Sequence, residues 1–180
     1  MELLSGAGLR PDKVVIPNID EKQMREEKPT SYVKRMAASK SKSIEIDFGD
    51  ILITADTIVV FQRQIFHKTY ERLLASKYIE SLSGKRHVVY TALCLRLNGY
   101  FKCHLVKTVL KMRKLESREI NSYLDRDEWQ GCSGGYNLKG SAIELFPYIS
   151  GCFSNVVGLP IPKLKEVLKG MGCVRNHERE

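Results

Sequence analysis

At 180 residues, with 43% hydrophobic and 28% charged side chains, the chain is too apolar for general disorder and long enough for one sizeable core, but short for two independent domains. Its 29 Lys and Arg against 21 Asp and Glu leave a formal net charge of +8, a field that favours anionic partners without choosing among nucleotides, nucleic acid and acidic membranes. The start carries neither a basic n-region nor a long apolar stretch, and the longest apolar run is too short to span a bilayer, which argues against export and membrane insertion.

"MELLSGAGLRPD" reads as the end of a helix, with Gly6 and Gly8 as capping residues and Pro11 preventing continuation. "KVVI" is expected to form a short strand, and "PNIDEKQMREEKP" a charged loop carrying Asp20 and Glu21. An amphipathic helix follows from Thr30 to Ile44, with Val33, Met36, Ala37 and Ile44 on one stripe and Lys40 on that same stripe. The run from Asp50 to Phe61 is continuously apolar rather than alternating, as befits a central strand covered on both faces. A helix from Glu71 to Leu82 carries Leu74, Tyr78 and Leu82 at helical spacing and stops near Gly84.

Asn98-Gly99, set between "RHVVYTALCLRL" and "YFKCHLVKTVLKM", predicts a long antiparallel hairpin with a type I′ turn. A short helix from Ser117 to Leu124 precedes the loop "GCSGGYNLKGSA", and "FPYISGCFSNVVGLP" reads as strand and turn. The last helix begins at Pro162, buries Leu164, Val167 and Leu168 and ends before Gly170; "NHERE" is expected to fray. Strands alternating with helices around one hairpin predict an α/β fold on a mixed sheet. The five cysteines (Cys94, Cys103, Cys132, Cys152, Cys173) are odd in number and lack C-x-x-C spacing, so free thiols in a reducing cytoplasm are expected.

Asp56 is the one acid inside the apolar strand. Burying an isolated carboxylate costs several kcal/mol or more, so it is protonated, paired or turned to a cleft where a cation meets it. The alternative is a strand end or bulge with the carboxylate hydrogen-bonded to backbone, and spacing alone supports both equally. Lys40 can snorkel to water along its stem, Lys68 can be a loop cation, and Glu21 can be solvated. What joins the four is that a triphosphate with its magnesium needs one or two carboxylates for the metal and cations for the phosphoryl oxygens. Histidine spacing supports no zinc site, the serines form no nucleophile elbow, and no Walker A stretch is present.

Taken together, "ELLSGAGLRPDKVVIPNIDE", "YVKRMAASK", "ADTIVV" followed by "IFHK", "LSGKRHVVYT", "EINSYLDRDEW", "GGYNLKG" and "SNVVGLP" resemble, in order and spacing, the Maf septum-formation family. Its members are nucleotide pyrophosphatases that cleave nucleoside triphosphates to the monophosphate and pyrophosphate. The resemblance covers almost the whole chain as one Maf-like domain. It implies a twisted mixed sheet flanked by helices, with two lobes around a deep cleft. It makes Asp56 the proton acceptor that activates water, Glu21 a carboxylate that with Asp56 supports a divalent cation, Mg²⁺ or Mn²⁺, and Lys40 and Lys68 the phosphate-binding lysines. It implies a nucleoside triphosphate partner and cytoplasmic location, allows a homodimer, and leaves nucleic acid last among partners and a membrane excluded.

Three departures qualify the resemblance. The family's first strand and its S-x-S-P-R-R loop, expected before "ELL", are missing, which suggests a start codon further upstream. Lys139 stands where the branch acting on dTTP and UTP has Gln, and His67-Lys68-Thr69 replaces G-K-P. Thr57 fits that branch, so dTTP and UTP are the leaning, with Thr57 and Lys139 as specificity positions. The alternative function is a catalytically impaired nucleotide-binding or regulatory protein of the same fold.

Overall fold

A computed structural model describes residues 2–173. It contains α1 (Glu2–Gly6), α2 (Pro29–Lys42), β1 (Leu52–Phe61), β2 (Gln64–Phe66), α3 (Arg72–Leu82), β3 (Arg86–Leu97), β4 (Tyr100–Lys111), α4 (Ser117–Leu124), a 3₁₀ turn (Ser141–Leu145), β5 (Tyr148–Ser150), α5 (Phe153–Val156) and α6 (Ile161–Gly170). The strands form one sheet in the order β2-β1-β3-β4-β5. The α/β class therefore stands.

Every ladder of that sheet is antiparallel, where a mixed sheet was expected. The cause is connectivity: β2 turns the chain back on β1, and α3 returns it, so that β3 enters opposed to β1. The expected strand at "KVVI" is also not formed. Pro11 and Pro17 bracket it, Pro17 offers no N–H to a ladder, and Ile16 is 91% exposed with no strand beside it among the described residues. Residues 174–180, expected to fray, lie outside the described residues.

Alternation along the strands divides the core between two faces. On one face, Ile58 and Val60 of β1 with Ala92 and Cys94 of β3 pack against Tyr32, Val33, Met36 and Ala37 of α2. Each fully buried large apolar side chain there contributes roughly 1.5–3 kcal/mol. On the other face, Val59, Val89 and Leu110 meet α3 and α4, while Leu93 and Leu95 meet Leu164, Val167 and Leu168 of α6. The two-sided coverage explains why β1 reads as continuously apolar. In α3 the buried stripe is Ala75, Ile79 and Leu82, one residue on from Leu74 and Tyr78; Tyr78 instead stacks on Phe66 with centroids 4.3 Å apart.

The β3–β4 hairpin forms where predicted, with Asn98 at φ 45° and Gly99 at φ 82° in its turn. Its register sets Cys94 directly opposite Cys103, and the two are joined in a disulfide, which corrects the expectation of five free thiols. Cys-x-x-Cys reasoning is blind to this pair because a hairpin, not a short loop, brings the residues together. Cys132, Cys152 and Cys173 are free. Thiol titration of the unfolded protein is expected to count three thiols before reduction and five after; five before reduction would show the bond absent.

The glycine-rich loop packs closely on α3. Gly135 has φ +72°, and a Cβ there would stand 3.2 Å from the Ala75 Cα. Gly135→Ala is therefore expected to lower unfolding stability by about 1–3 kcal/mol, read as a shift in the urea midpoint. An unchanged midpoint would mean that the loop moves off α3 without cost.

Candidate active site

Lys40 lies in the last turn of α2, and Asp56 in the middle of β1, opposite Ala92 of β3. Val33, Met36 and Ala37 seat α2 on the sheet, and Thr54 donates to the Ala37 carbonyl at 2.9 Å, fixing the helix over the strand one turn before Lys40. The consequence is an ion pair of 2.5 Å between Lys40 Nζ and Asp56 Oδ1. The same ammonium lies 2.8 Å from Glu21 Oε1.

Glu21 is held by α2 from below. Tyr32 donates its hydroxyl to the Glu21 carbonyl at 2.8 Å, and Arg35 donates to the Lys22 carbonyl at 3.0 Å while pairing with Glu27 at 2.6 Å. The loop is thus fastened on both sides of the carboxylate. Side-chain exposure rises along the triad, from 8% at Asp56 through 13% at Lys40 to 46% at Glu21, so a buried acid is connected to the surface through one lysine.

Lys68 follows β2, and its backbone bridges to Ser133 in the glycine loop. Among the described residues it makes no ion pair, but its charge acts on both Asp56 and Glu21 and draws their carboxyls down. The edge of the Tyr32 ring meets His67 with centroids 5.8 Å apart, which links the Lys68 segment to α2. The four residues expected to act together are therefore neighbours, three of them in direct contact.

Charge behaviour follows from one ammonium serving two carboxylates. Burial pushes the Asp56 carboxyl up, and although Lys40 opposes this, the nearby Glu21 adds to it, so the net direction is upward. Glu21, hydrogen-bonded by Lys40 and less buried, is held below the usual carboxylate range. Burial pulls the Lys40 ammonium down, but its two carboxylate partners outweigh that and raise it. Both ends of the Lys40–Asp56 pair are raised, a pattern that one partner alone would not give.

The expected specificity positions lie elsewhere. Thr57, next along β1, points to the opposite face and lies 2.8 Å from Thr91 by its hydroxyl. Lys139 pairs with Glu2 of α1 at 2.9 Å, and this pairing keeps Glu2 ionised to lower pH; Lys139 pairs with none of Glu21, Asp56 or Lys40's partners. Tyr32 and Arg35 escaped the sequence reading because a tyrosine and an arginine on a half-exposed helix face look like ordinary surface.

Among the described residues no three His, Cys, Asp or Glu side chains gather into a metal-holding group. Glu21 and Asp56, sharing one cation, nevertheless match the one or two carboxylates by which Mg²⁺ is usually held when phosphates and water complete its shell. Two surface cavities, of about 350 and 480 Å³, are lined by Arg113, Arg118 and Arg126 and by Lys102, His104 and Glu166 respectively, and neither reaches the triad.

An antiparallel α/β sheet that buries an acid against a helix-borne lysine defines the class, and comparison with known proteins gives the family. The Maf family model, described as "Maf-like protein", matches residues 1–171. The chain belongs to the Maf family. A dTTP/UTP pyrophosphatase of Cereibacter sphaeroides is 36% identical over 171 residues, 95% of this chain and 89% of its own length. Another dTTP/UTP pyrophosphatase, of Roseobacter denitrificans, is 35% identical over 171 residues, 95% and 91% of the two chains. A nucleoside triphosphate pyrophosphatase of Anaplasma marginale is 36% identical over 163 residues, 89% and 83% of the two.

Removing the shared ammonium tests the triad. Lys40→Met leaves a buried carboxylate unpaired and is expected to cost about 3–5 kcal/mol near neutral pH. A folded-state carboxyl pKa that is raised contributes stability at low pH and loses it as pH climbs, so the K40M deficit should shrink toward about pH 4, where Asp56 takes up a proton. Glu21, whose carboxyl is depressed, works in the opposite sense and loses its contribution as pH falls. Urea unfolding of K40M and K40M/D56N between pH 4 and 8 reads this directly; a deficit independent of pH would exclude an ionised Asp56 as the partner.

Proposed function

We propose that this chain hydrolyses nucleoside triphosphates to the nucleoside monophosphate and pyrophosphate, leaning to dTTP and UTP. The observation that carries the reading is the buried Asp56 carboxylate tied through Lys40 to Glu21, with the Lys68 charge acting on both acids. Family membership and the pyrophosphatase names of its relatives support it.

Asp56 accepts a proton from water as the water oxygen bonds to the α-phosphorus in line with the departing pyrophosphate oxygen. Its upward-shifted carboxyl makes it a better base than an exposed aspartate, because a base works best with a pKa nearer the working pH. Lys40 and Lys68 supply charge to the phosphoryl oxygens. Incoming phosphates compete for the Lys40 ammonium and so free Asp56 from its ion pair. Glu21 and Asp56 would hold a divalent cation, Mg²⁺ or Mn²⁺, which supplies further neutralisation of phosphate charge when bound. No helix among the described residues is long and apolar enough to cross a membrane. We infer a cytoplasmic setting, where nucleoside triphosphates reside; the Cys94 sulfur, wholly buried, is withdrawn from the thiol pool there.

A second reading, triphosphate binding without turnover, draws on the same contact, since Asp56 is already engaged by Lys40 at 2.5 Å. One assay separates the two. Magnesium-dependent pyrophosphate release from UTP and dTTP is expected, with Asp56→Asn lowering kcat about a hundred- to ten-thousand-fold. Undiminished turnover in D56N would remove Asp56 from its role, and tight binding with no release by the unaltered chain would favour the second reading.

A further inference from the structure

We infer that Thr91 is a positioning residue that fixes the direction of the Thr57 hydroxyl proton, so that Thr57 presents only lone pairs and selects a base offering an N–H, the imide N3–H of uracil or thymine. This rests on reading Thr57 as a base-contacting position of the proposed pyrophosphatase site.

The polarity of the chain of hydroxyls follows from its fixed end. Thr91, fully buried, donates to the Asn155 main-chain carbonyl at 2.8 Å. A carbonyl oxygen only accepts, and a threonine hydroxyl has one proton to give. The Thr91 proton is therefore committed, and the 2.8 Å contact between Thr91 Oγ1 and Thr57 Oγ1 is made with the Thr57 proton. The anchor itself is rigid: the Asn155 side chain donates to Thr108 Oγ1 at 3.0 Å and to the Val89 carbonyl at 3.4 Å, and Thr108 is in turn bonded to the backbone of Cys152 at 3.1 Å. A network across β1, β3 and β4 thus ends in a hydroxyl that can accept but not donate.

That hydroxyl is approachable. Thr57 is half-buried, and Gly158, at φ +112°, leaves open space beside it; a Cβ built there would meet only Thr57 Oγ1, at 3.7 Å. At pyrimidine N3 the candidate bases differ in sign: uracil and thymine carry a proton, cytosine a lone pair. A freely turning hydroxyl would satisfy either. One held by Thr91 satisfies only the first.

The test is calorimetric binding of α,β-methylene UTP and α,β-methylene CTP, whose carbon bridge resists cleavage, to the full chain and to Thr91→Val and Thr91→Ser. The unaltered chain is expected to prefer the uridine analogue, T91V to narrow that preference about ten-fold, the worth of one hydrogen bond, and T91S to retain it. The N3-methylated uridine analogue should bind the unaltered chain as poorly as the cytidine one, a comparison that needs no variant to fold. No uridine preference in the unaltered chain, full preference in T91V, equal loss in T91S, or tight binding of the N3-methyl analogue would each overturn the inference. Intact preference without pyrophosphate release from UTP would instead overturn the proposed reaction alone.

Discussion

One ammonium group organises the candidate site. Lys40 lies 2.5 Å from Asp56 and 2.8 Å from Glu21, and so joins a helix, a strand and a loop that share no regular hydrogen bonding with one another. An ionised carboxylate 8% exposed costs several kcal/mol to desolvate, and only a partner as close as this ammonium offsets it. The rest of the arrangement answers that need. The apolar stripe of α2 fixes where Lys40 can reach, the Thr54 bond to Ala37 sets the helix along the strand, and Tyr32 and Arg35 hold the Glu21 loop within range.

The sheet carries two kinds of polar chemistry, one on each face, because adjacent residues of a strand point to opposite sides. Asp56 faces α2 and charge; Thr57 faces the Thr91–Asn155–Thr108 network and neutral hydroxyls. Each polar set sits within an otherwise apolar layer and is satisfied within it. The arrangement lets one short stretch, Ala55 to Ile58, serve an acid-base role and a base-reading role without the two interfering electrostatically.

What the sequence disclosed depended on range. Asn98-Gly99, Pro162 and the helix at Ser117–Leu124 were legible because turns and helix ends are set by nearest neighbours. Asp56 and Lys40 were legible as anomalies, a charge in an apolar pattern, but not as partners, since their 16-residue separation is closed only by α2 lying on β1. Thr91 was invisible: threonine suits a strand in any case, and nothing in its neighbours announces a buried hydroxyl relay. The mixed sheet and the "KVVI" strand were misread because strand pairing is decided by which neighbours arrive, not by the apolar content of the segment. Cys94 and Cys103 follow the same logic, their meeting being a property of register.

That covalent tie has a mechanical meaning for the whole sheet. By linking residues directly opposed across β3 and β4, it acts as a detent: neither strand can slide past the other by even one pleat without breaking it. Since β3 supplies both the neighbour of Asp56, Ala92, and the neighbour of Thr57, Thr91, a slip there would trade places between acid-facing and hydroxyl-facing residues. The bond therefore guards handedness of chemistry as much as cohesion, keeping each reactive group on its own side of a thin wall.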